Sequence, residues 1–161
     1  MSERVVIVPT GTANLASVEA ALTRAGAASE RTADADRVRR ADRVVLPGVG
    51  TFGAAMERIE RDGLSRALRE RIAEGRPTLA ICVGMQALAE SSVESPDAAG
   101  LGVWRAPVRR FEGEVRVPQL GWNRIESDDA RLPPGWVYYA NSFALFDDPG
   151  DGWTVAVSDT H

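Results

Sequence analysis

The 161-residue sequence has one cysteine, Cys82, one histidine, His161, and no lysine. A single cysteine excludes an internal disulfide, and so few cysteine and histidine residues exclude a zinc site built from several of them. A Cys-His or Ser-His centre made from this sequence alone would have to use the terminal residue His161 as its base. The low counts of cysteine and histidine therefore leave few possible catalytic centres within this sequence, and we expect no metal site.

Long apolar runs and an excess of positive charge are also missing. The longest apolar runs, residues 5–8 and 79–83, are far shorter than the roughly 18 residues that span a membrane, and no signal-peptide pattern opens the chain. The 19 basic residues oppose 23 acidic ones, which gives a formal net charge of −4 and argues against a sequence-independent nucleic-acid binder. We expect a cytoplasmic protein with no nucleic-acid or membrane partner.

The composition favours one domain over residues 1–161. Hydrophobic residues make up 44% and charged residues 26% of the chain, values typical of a protein with one core. Strand patterns at residues 4–8, 28–32, 43–46 and 78–81 alternate with helix patterns beginning at Asn14, an N-cap candidate, and near Phe52, Leu64 and Met85. This order predicts an open, mostly parallel α/β sheet with helices on both faces.

The C-terminal part has a different pattern. Residues 91–101 read as a surface loop, and apolar alternation near residues 108–117, 136–139 and 153–157 predicts further strands. Such strands, separated by proline and glycine turns, indicate an antiparallel, strand-rich part at the edge of the sheet.

Cys82 is the candidate nucleophile. It ends a predicted strand and opens a predicted helix, with Ala80 and Gly84 on either side, as in the elbow that exposes a nucleophile on a tight turn. Backbone N–H groups after such a residue, including that of Val83, point to where an oxyanion would develop. The alternative is a small buried hydrophobe, which is common for a lone cysteine.

Three further segments are open to two interpretations each. The run Pro47-Gly48-Val49-Gly50 either presents backbone groups to a ligand or is simply a tight turn. Gln86 is either a substrate contact or an exposed helix former. Trp122, in a predicted loop, is either an interface residue or a cap on the core.

Together these segments resemble the class I glutamine amidotransferase domain, and specifically the glutaminase subunits of imidazole glycerol phosphate synthase from histidine biosynthesis. The resemblance covers nearly the whole chain and is carried by residues 14–18 (Asn-Leu-Ala-Ser-Val), 46–56 (with Pro-Gly-Val-Gly), 81–86 (Ile-Cys-Val-Gly-Met-Gln) and 117–123 (with Gly-Trp-Asn).

The resemblance implies that Cys82 attacks the side-chain amide of L-glutamine and forms a thioester, releasing ammonia and then glutamate. It assigns substrate-binding and oxyanion roles to Gly48, Val49, Gly50, Val83, Gln86 and Ser142. It implies a heterodimer with a (β/α)8-barrel cyclase that receives the ammonia, with Asn14, Trp122 and Asn123 facing that partner. No cofactor is implied.

The sequence also departs from the family. The family's catalytic His-Pro-Glu segment is absent and His161 does not match it, while Gln119 and Asn141 stand where the family has histidine. We expect residues 1–161 to be a C-terminally truncated piece of an active enzyme, lacking C-terminal elements of the fold. The alternatives are a catalytically inactive docking subunit and an amidotransferase that serves another acceptor.

Overall fold

The structure, a computed structural model, describes residues 4–11, 13–130 and 133–147 and residues 153, 156 and 158. Strands β1 to β4 form a parallel sheet in the order β2-β1-β3-β4. The elements of this part are β1 (Arg4–Ile7), α1 (Leu15–Arg24), β2 (Ala28–Arg31), α2 (Ala35–Arg40), β3 (Arg43–Gly48), α3 (Phe52–Arg61), α4 (Leu64–Ala73), β4 (Thr78–Cys82) and α5 (Val83–Gln86).

The rest of the described chain is strand-rich. Its strands are β5 (Ala89–Ser92), β6 (Trp104–Arg110), β7 (Gln119–Ile125), β8 (Gly135–Asn141) and β9 (Phe143–Ala144). β5 pairs with β6 in parallel, β6 pairs with β9 antiparallel, and β7 and β8 form an antiparallel two-stranded ribbon. No helix in the described ranges is long and apolar enough to cross a membrane.

Both faces of β1 and β3 are covered, as their alternating apolar residues require, whereas Leu79 and Ile81 of β4 are exposed. Val6, Val44 and Leu46 pack into the larger cluster with residues of α3 and α4. Their neighbours Val5, Ile7 and Val45 point the other way and pack against α1. Because successive side chains of a strand point to opposite faces, one run of valine, isoleucine and leucine serves both layers. The predicted α/β fold class is thus confirmed.

The helix boundaries follow local capping. Asn14 accepts a hydrogen bond from the backbone N–H of Ser17 at 3.2 Å, as predicted for an N-cap, and α1 ends before Gly26, which has a φ of +79°. Asp34 and Thr51 cap α2 and α3 in the same way.

Three predictions about the elements need correction or lie outside the described residues, and one helix was not predicted. The helix predicted over residues 85–90 is only the four-residue α5, because Ala89 pairs with Trp104 in β5 and β6. The sequence analysis missed α2, in which Val38 alone is buried. The segment of Trp122 is strand β7, not a loop. The strand predicted over residues 153–157 lies mostly outside the described residues.

A buried arginine joins two helices to the start of β4. The side chain of Arg71, in α4, is 0% exposed, and its burial lowers the pKa of the guanidinium. This group donates hydrogen bonds to the carbonyl oxygens of Val38, Arg39, Ala41 and Pro77 and to Oγ1 of Thr78. The buried charge is therefore balanced by the C-terminal carbonyls of α2 and by the beginning of β4, at the end of the strand opposite to Cys82.

Replacing Arg71 with methionine keeps an unbranched apolar chain but leaves these oxygens without their donor. We expect the Arg71→Met change to lower the free energy of unfolding by about 3 kcal/mol, because buried acceptors lose their hydrogen bonds. Urea denaturation followed by circular dichroism measures this loss. Arg69→Met, at an exposed position of the same helix, is the matched control and should change stability by less than about 0.5 kcal/mol. Equal losses in the two variants would contradict the assignment.

Candidate active site

The register of the parallel sheet brings two predicted site segments together. Gly48, the last residue of β3, is the partner of Cys82, the last residue of β4. Both strands therefore end at the carboxyl edge of the sheet, where open α/β proteins place their sites. Gly48 and Cys82 are 34 positions apart in sequence, and the chain leaves the sheet at adjacent points after them.

Cys82 adopts the geometry of a nucleophile elbow. Its φ of +55° and ψ of −120° make it the one residue other than glycine with a positive φ among those the structure describes. Such a conformation costs about 1–3 kcal/mol in a residue with a side chain and is characteristic of functional sites. The thiol is exposed, so the alternative of a buried hydrophobe is wrong.

The elbow depends on two glycines that lie against each other. An added Cβ at Gly84 would lie 2.0 Å from the carbonyl oxygen of Leu46, and one at Gly48 would lie 2.6 Å from the backbone nitrogen of Gly84. Both distances are far shorter than a van der Waals contact, so no larger residue fits at either position. The absence of these two side chains lets β3 approach the turn after the cysteine.

The segment that follows Gly48 passes from the core to the surface. Pro47 and Gly48 are buried, whereas Val49 is 45% exposed and Gly50, with a φ of +88°, is exposed beside it. Backbone N–H groups can stabilise an oxyanion only where they are accessible beside the nucleophile, and Val49 and Gly50 meet the condition of exposure. Val83, the residue after Cys82, is buried, at 4% exposure.

Two side chains that the sequence analysis did not single out hold the helix after this segment. Glu94 accepts a hydrogen bond from the backbone N–H of Phe52 at 2.8 Å, and the Ser95 hydroxyl accepts one from Gly53 at 3.0 Å. These bonds satisfy N–H groups in the first turn of α3 and place a carboxylate at the positive end of the helix. No spacing in the sequence indicates them, because 42 residues separate each pair.

Gln86 bridges the elbow to the strand-rich part. It is 6% exposed, so the interpretation as an exposed helix former is wrong. Its Nε2 donates a hydrogen bond to the carbonyl oxygen of Phe143 at 3.0 Å. The same oxygen accepts a bond from Nδ2 of Asn141 at 3.1 Å. Ser142 lies between Asn141 and Phe143 in sequence. It is therefore part of the segment to which Gln86 is hydrogen-bonded.

The two positions that depart from the family face each other across the ribbon. Gln119 is the ladder partner of Asn141. Nε2 of Gln119 and Oδ1 of Asn141 are both buried without a hydrogen-bond partner in the described part of the chain. One of these atoms is a donor and the other an acceptor, so the two changes are chemically matched as well as adjacent.

The three residues predicted to face the partner differ in their exposure. Trp122 is 65% exposed on the outer face and its ring meets that of Tyr138 edge to face, with centroids 5.5 Å apart, so it does not cap the core. Asn123, the next residue, points inward and is 7% exposed. Asn14 is exposed at the start of α1.

Comparisons with known proteins agree with this geometry. The model of the CobB/CobQ-like glutamine amidotransferase domain family matches residues 11–109. A crystal structure of a glutamine amidotransferase shares the fold with a TM-score of 0.70 at 22% identity, covering 92% of this chain and 76% of that chain. The chain therefore belongs to the glutamine amidotransferase family and has the fold of a glutamine amidotransferase.

Curated relatives narrow the family. Imidazole glycerol phosphate synthase subunit HisH of Symbiobacterium thermophilum is 41% identical over 152 residues, which cover 91% of this chain and 72% of the relative. Imidazole glycerol phosphate synthase hisHF of Emericella nidulans is 35% identical over 160 residues, covering 90% of this chain and 29% of the relative. The chain belongs to the HisH family of imidazole glycerol phosphate synthase subunits.

The close contact at Gly84 gives a testable requirement for the elbow. We expect Gly84→Ala to lower the free energy of unfolding by at least about 3 kcal/mol, since the new methyl group meets a backbone carbonyl that cannot move alone. Gly26→Ala is the control, because a Cβ there meets nothing within 4 Å and only the left-handed backbone, with a φ of +79°, is strained. That change should cost about 1–2 kcal/mol. Urea denaturation ranks the two variants, and a smaller loss at position 84 would refute the steric argument.

Proposed function

We propose that this chain is the glutaminase subunit of a cytoplasmic imidazole glycerol phosphate synthase and hydrolyses L-glutamine through Cys82. The observation that carries the proposal is the strained, exposed elbow in register with Gly48. The thiolate adds to the side-chain amide carbon, the tetrahedral intermediate expels ammonia, and water then cleaves the thioester to release glutamate. Backbone N–H groups of Val49, Gly50 and Val83 stabilise the developing oxyanion.

The predicted substrate contacts Gln86 and Ser142 are consistent with this mechanism at Cys82. Gln86 holds the segment that carries Ser142, and we assign both residues to the substrate side of the thiol. The reaction also needs a group that takes the thiol proton and returns a proton to the leaving nitrogen. The sequence has no histidine before His161. We infer that His161 or a residue outside this sequence carries that proton.

The test of the nucleophile uses the protein encoded by the complete reading frame, with its cyclase partner. We expect glutamate release from glutamine, and a loss of at least about 10³-fold in Cys82→Ala, because no other residue forms the thioester. Synthesis from free ammonia by the same complex is the control and should be unchanged. Activity that survives in Cys82→Ala would overturn the mechanism, and no activity in the wild type would favour the docking subunit.

If the reading frame extends beyond residue 161 and the proton carrier lies there, residues 1–161 should be slower than the extended chain. Loss of a general acid-base typically costs about 10² to 10⁴ in rate. Glutamate release by residues 1–161, measured beside the complete chain with the same partner, gives this ratio. Equal rates would place the proton carrier in residues 1–161 or in the partner, and His161→Ala would then decide between the two.

The outer face of the β7–β8 ribbon is the surface we propose for the cyclase. Four large side chains lie exposed on it, at 65% for Leu120, 65% for Trp122, 66% for Trp136 and 55% for Tyr138. A contiguous apolar face of this kind marks an interaction site. The match to 29% of the fused hisHF relative shows that, in that protein, a HisH-like part is joined to a longer one. We propose a separate (β/α)8-barrel cyclase as this partner, taking ammonia from the site.

Trp122 should be a major contributor to that interface, because exposed tryptophans with apolar neighbours are typical hot spots. We expect Trp122→Ala to raise the dissociation constant of the complex about 30-fold or more, measured by titration calorimetry. Phe146→Ala is the matched control, since Phe146 is 48% exposed but packs against Phe111 outside the ribbon. Asn14→Ala tests the second predicted contact, whereas Asn123 is only 7% exposed, on the inner face of the ribbon. Equal affinity in Trp122→Ala and the control would remove this face from the interface.

A further inference from the structure

Thr10 is a buried polar residue whose hydroxyl group reaches the start of the Pro47–Gly50 run. It is 1% exposed, and its Oγ1 donates a hydrogen bond to the carbonyl oxygen of Pro47 at 2.7 Å. The two residues are 37 positions apart, so the bond forms only when β1 and β3 pair. Because a buried hydroxyl is rarely placed without a structural or functional reason, this contact points to a specific role.

The hydrogen bond from Thr10 to Pro47 extends the pairing of β1 with β3 by one position beyond the last backbone hydrogen bond between them. The backbone N–H of Val8 donates to the carbonyl oxygen of Val45 at 3.0 Å. Alternate carbonyls of a strand point the same way, so the next oxygen of β3 that faces β1 belongs to Pro47. The strand β1 ends at Ile7 and Pro9 follows, and the hydroxyl of Thr10 donates to that oxygen.

This contact fixes the last buried peptide before the exposed part of the segment. A trans peptide group is planar, so holding the Pro47 carbonyl oxygen also sets the direction of the Gly48 N–H. On the other side, Gly48 lies against the backbone of Gly84. Val49 and Gly50 follow immediately and are exposed. Thr10 on one side and Gly84 on the other thus set the point at which the segment leaves the sheet beside Cys82.

We propose that Thr10 is a positioning residue for the reaction, holding the Pro47–Gly50 run so that its backbone N–H groups meet the oxyanion formed at the glutamine amide. The inference rests on the proposed glutaminase function. Thr10 touches neither substrate nor thiol in this role. Since its hydrogen bond acts on a group that matters most in the transition state, its loss should lower kcat more than it changes KM.

The experiment compares Thr10→Val, which keeps the shape and removes the hydroxyl, with Thr10→Ser, which keeps the hydroxyl. In the complete protein bound to its cyclase, we expect Thr10→Val to lower kcat for glutamine hydrolysis about tenfold or more, with KM within about twofold. Affinity for a γ-aldehyde analogue of glutamine, which forms a tetrahedral adduct with the thiol, should fall by a similar factor. Thr10→Ser should remain within about threefold of the wild type. Thr23→Val, at an exposed position of α1, is the control for a threonine-to-valine change.

The outcomes separate this inference from the proposed function. Wild-type kcat and analogue affinity in Thr10→Val would overturn the inference, and so would an equal loss in Thr10→Ser, which indicates a role in packing alone. If the wild type hydrolyses no glutamine, the proposed function fails, and hydrogen exchange of the Gly48 amide then tests the anchor by itself. Exchange about tenfold faster in Thr10→Val than in the wild type and Thr10→Ser supports the anchor, and unchanged exchange overturns it.

Discussion

At Gly84 the chain turns so close to β3 that a methyl group there would lie 2.0 Å from the Leu46 carbonyl oxygen. This contact limits how the turn after β4 and the end of β3 can be arranged. Because β3 is parallel to β4 and Gly48 is in register with Cys82, the turn after β4 must pass over the end of β3. At this turn Cys82 has a positive φ and is exposed. The exposed nucleophile is thus a consequence of close packing between backbones, with strain concentrated at one residue.

The sheet beneath the elbow is held at both ends of β4. At its start, the buried guanidinium of Arg71 binds Pro77 and Thr78 and also the last carbonyls of α2. At its end, the glycines let the strand turn. The larger apolar cluster fills the space between these two points with residues of β1, β3, α3 and α4. Preorganised groups contribute most when the framework does not move during the reaction, and this arrangement supplies that rigidity beside the exposed Val49 and Gly50.

The elements with strong local patterns could be predicted from the sequence, whereas those set by distant contacts could not. Apolar runs located β1, β3 and β4, whereas the pairing of Gly48 with Cys82 became visible only in the register of β3 and β4. The helix α2 escaped notice because Val38 alone is buried in it, so it has no apolar period. β5 depends on pairing with β6, and the burial of Gln86 depends on the Phe143 carbonyl 57 residues later. Neither partner is visible within the local sequence.

The strand-rich part connects the proposed docking face to the nucleophile through few contacts. Trp122 and Tyr138 lie on the outer face of the ribbon, and β8, the strand of Tyr138, ends at Asn141. Asn141 and Gln86 donate to the same carbonyl oxygen, that of Phe143, and Gln86 is four residues beyond Cys82. A partner that binds the two tryptophans of the ribbon therefore contacts a strand whose last residue, Asn141, shares an acceptor in β9 with Gln86 of the nucleophile's helix. Binding to the outer face of the ribbon can shift the position of Gln86 only if the partner has a higher affinity for one arrangement of the ribbon than for another. The path from the ribbon to the elbow runs through one intermediate group, the carbonyl oxygen of Phe143 in β9.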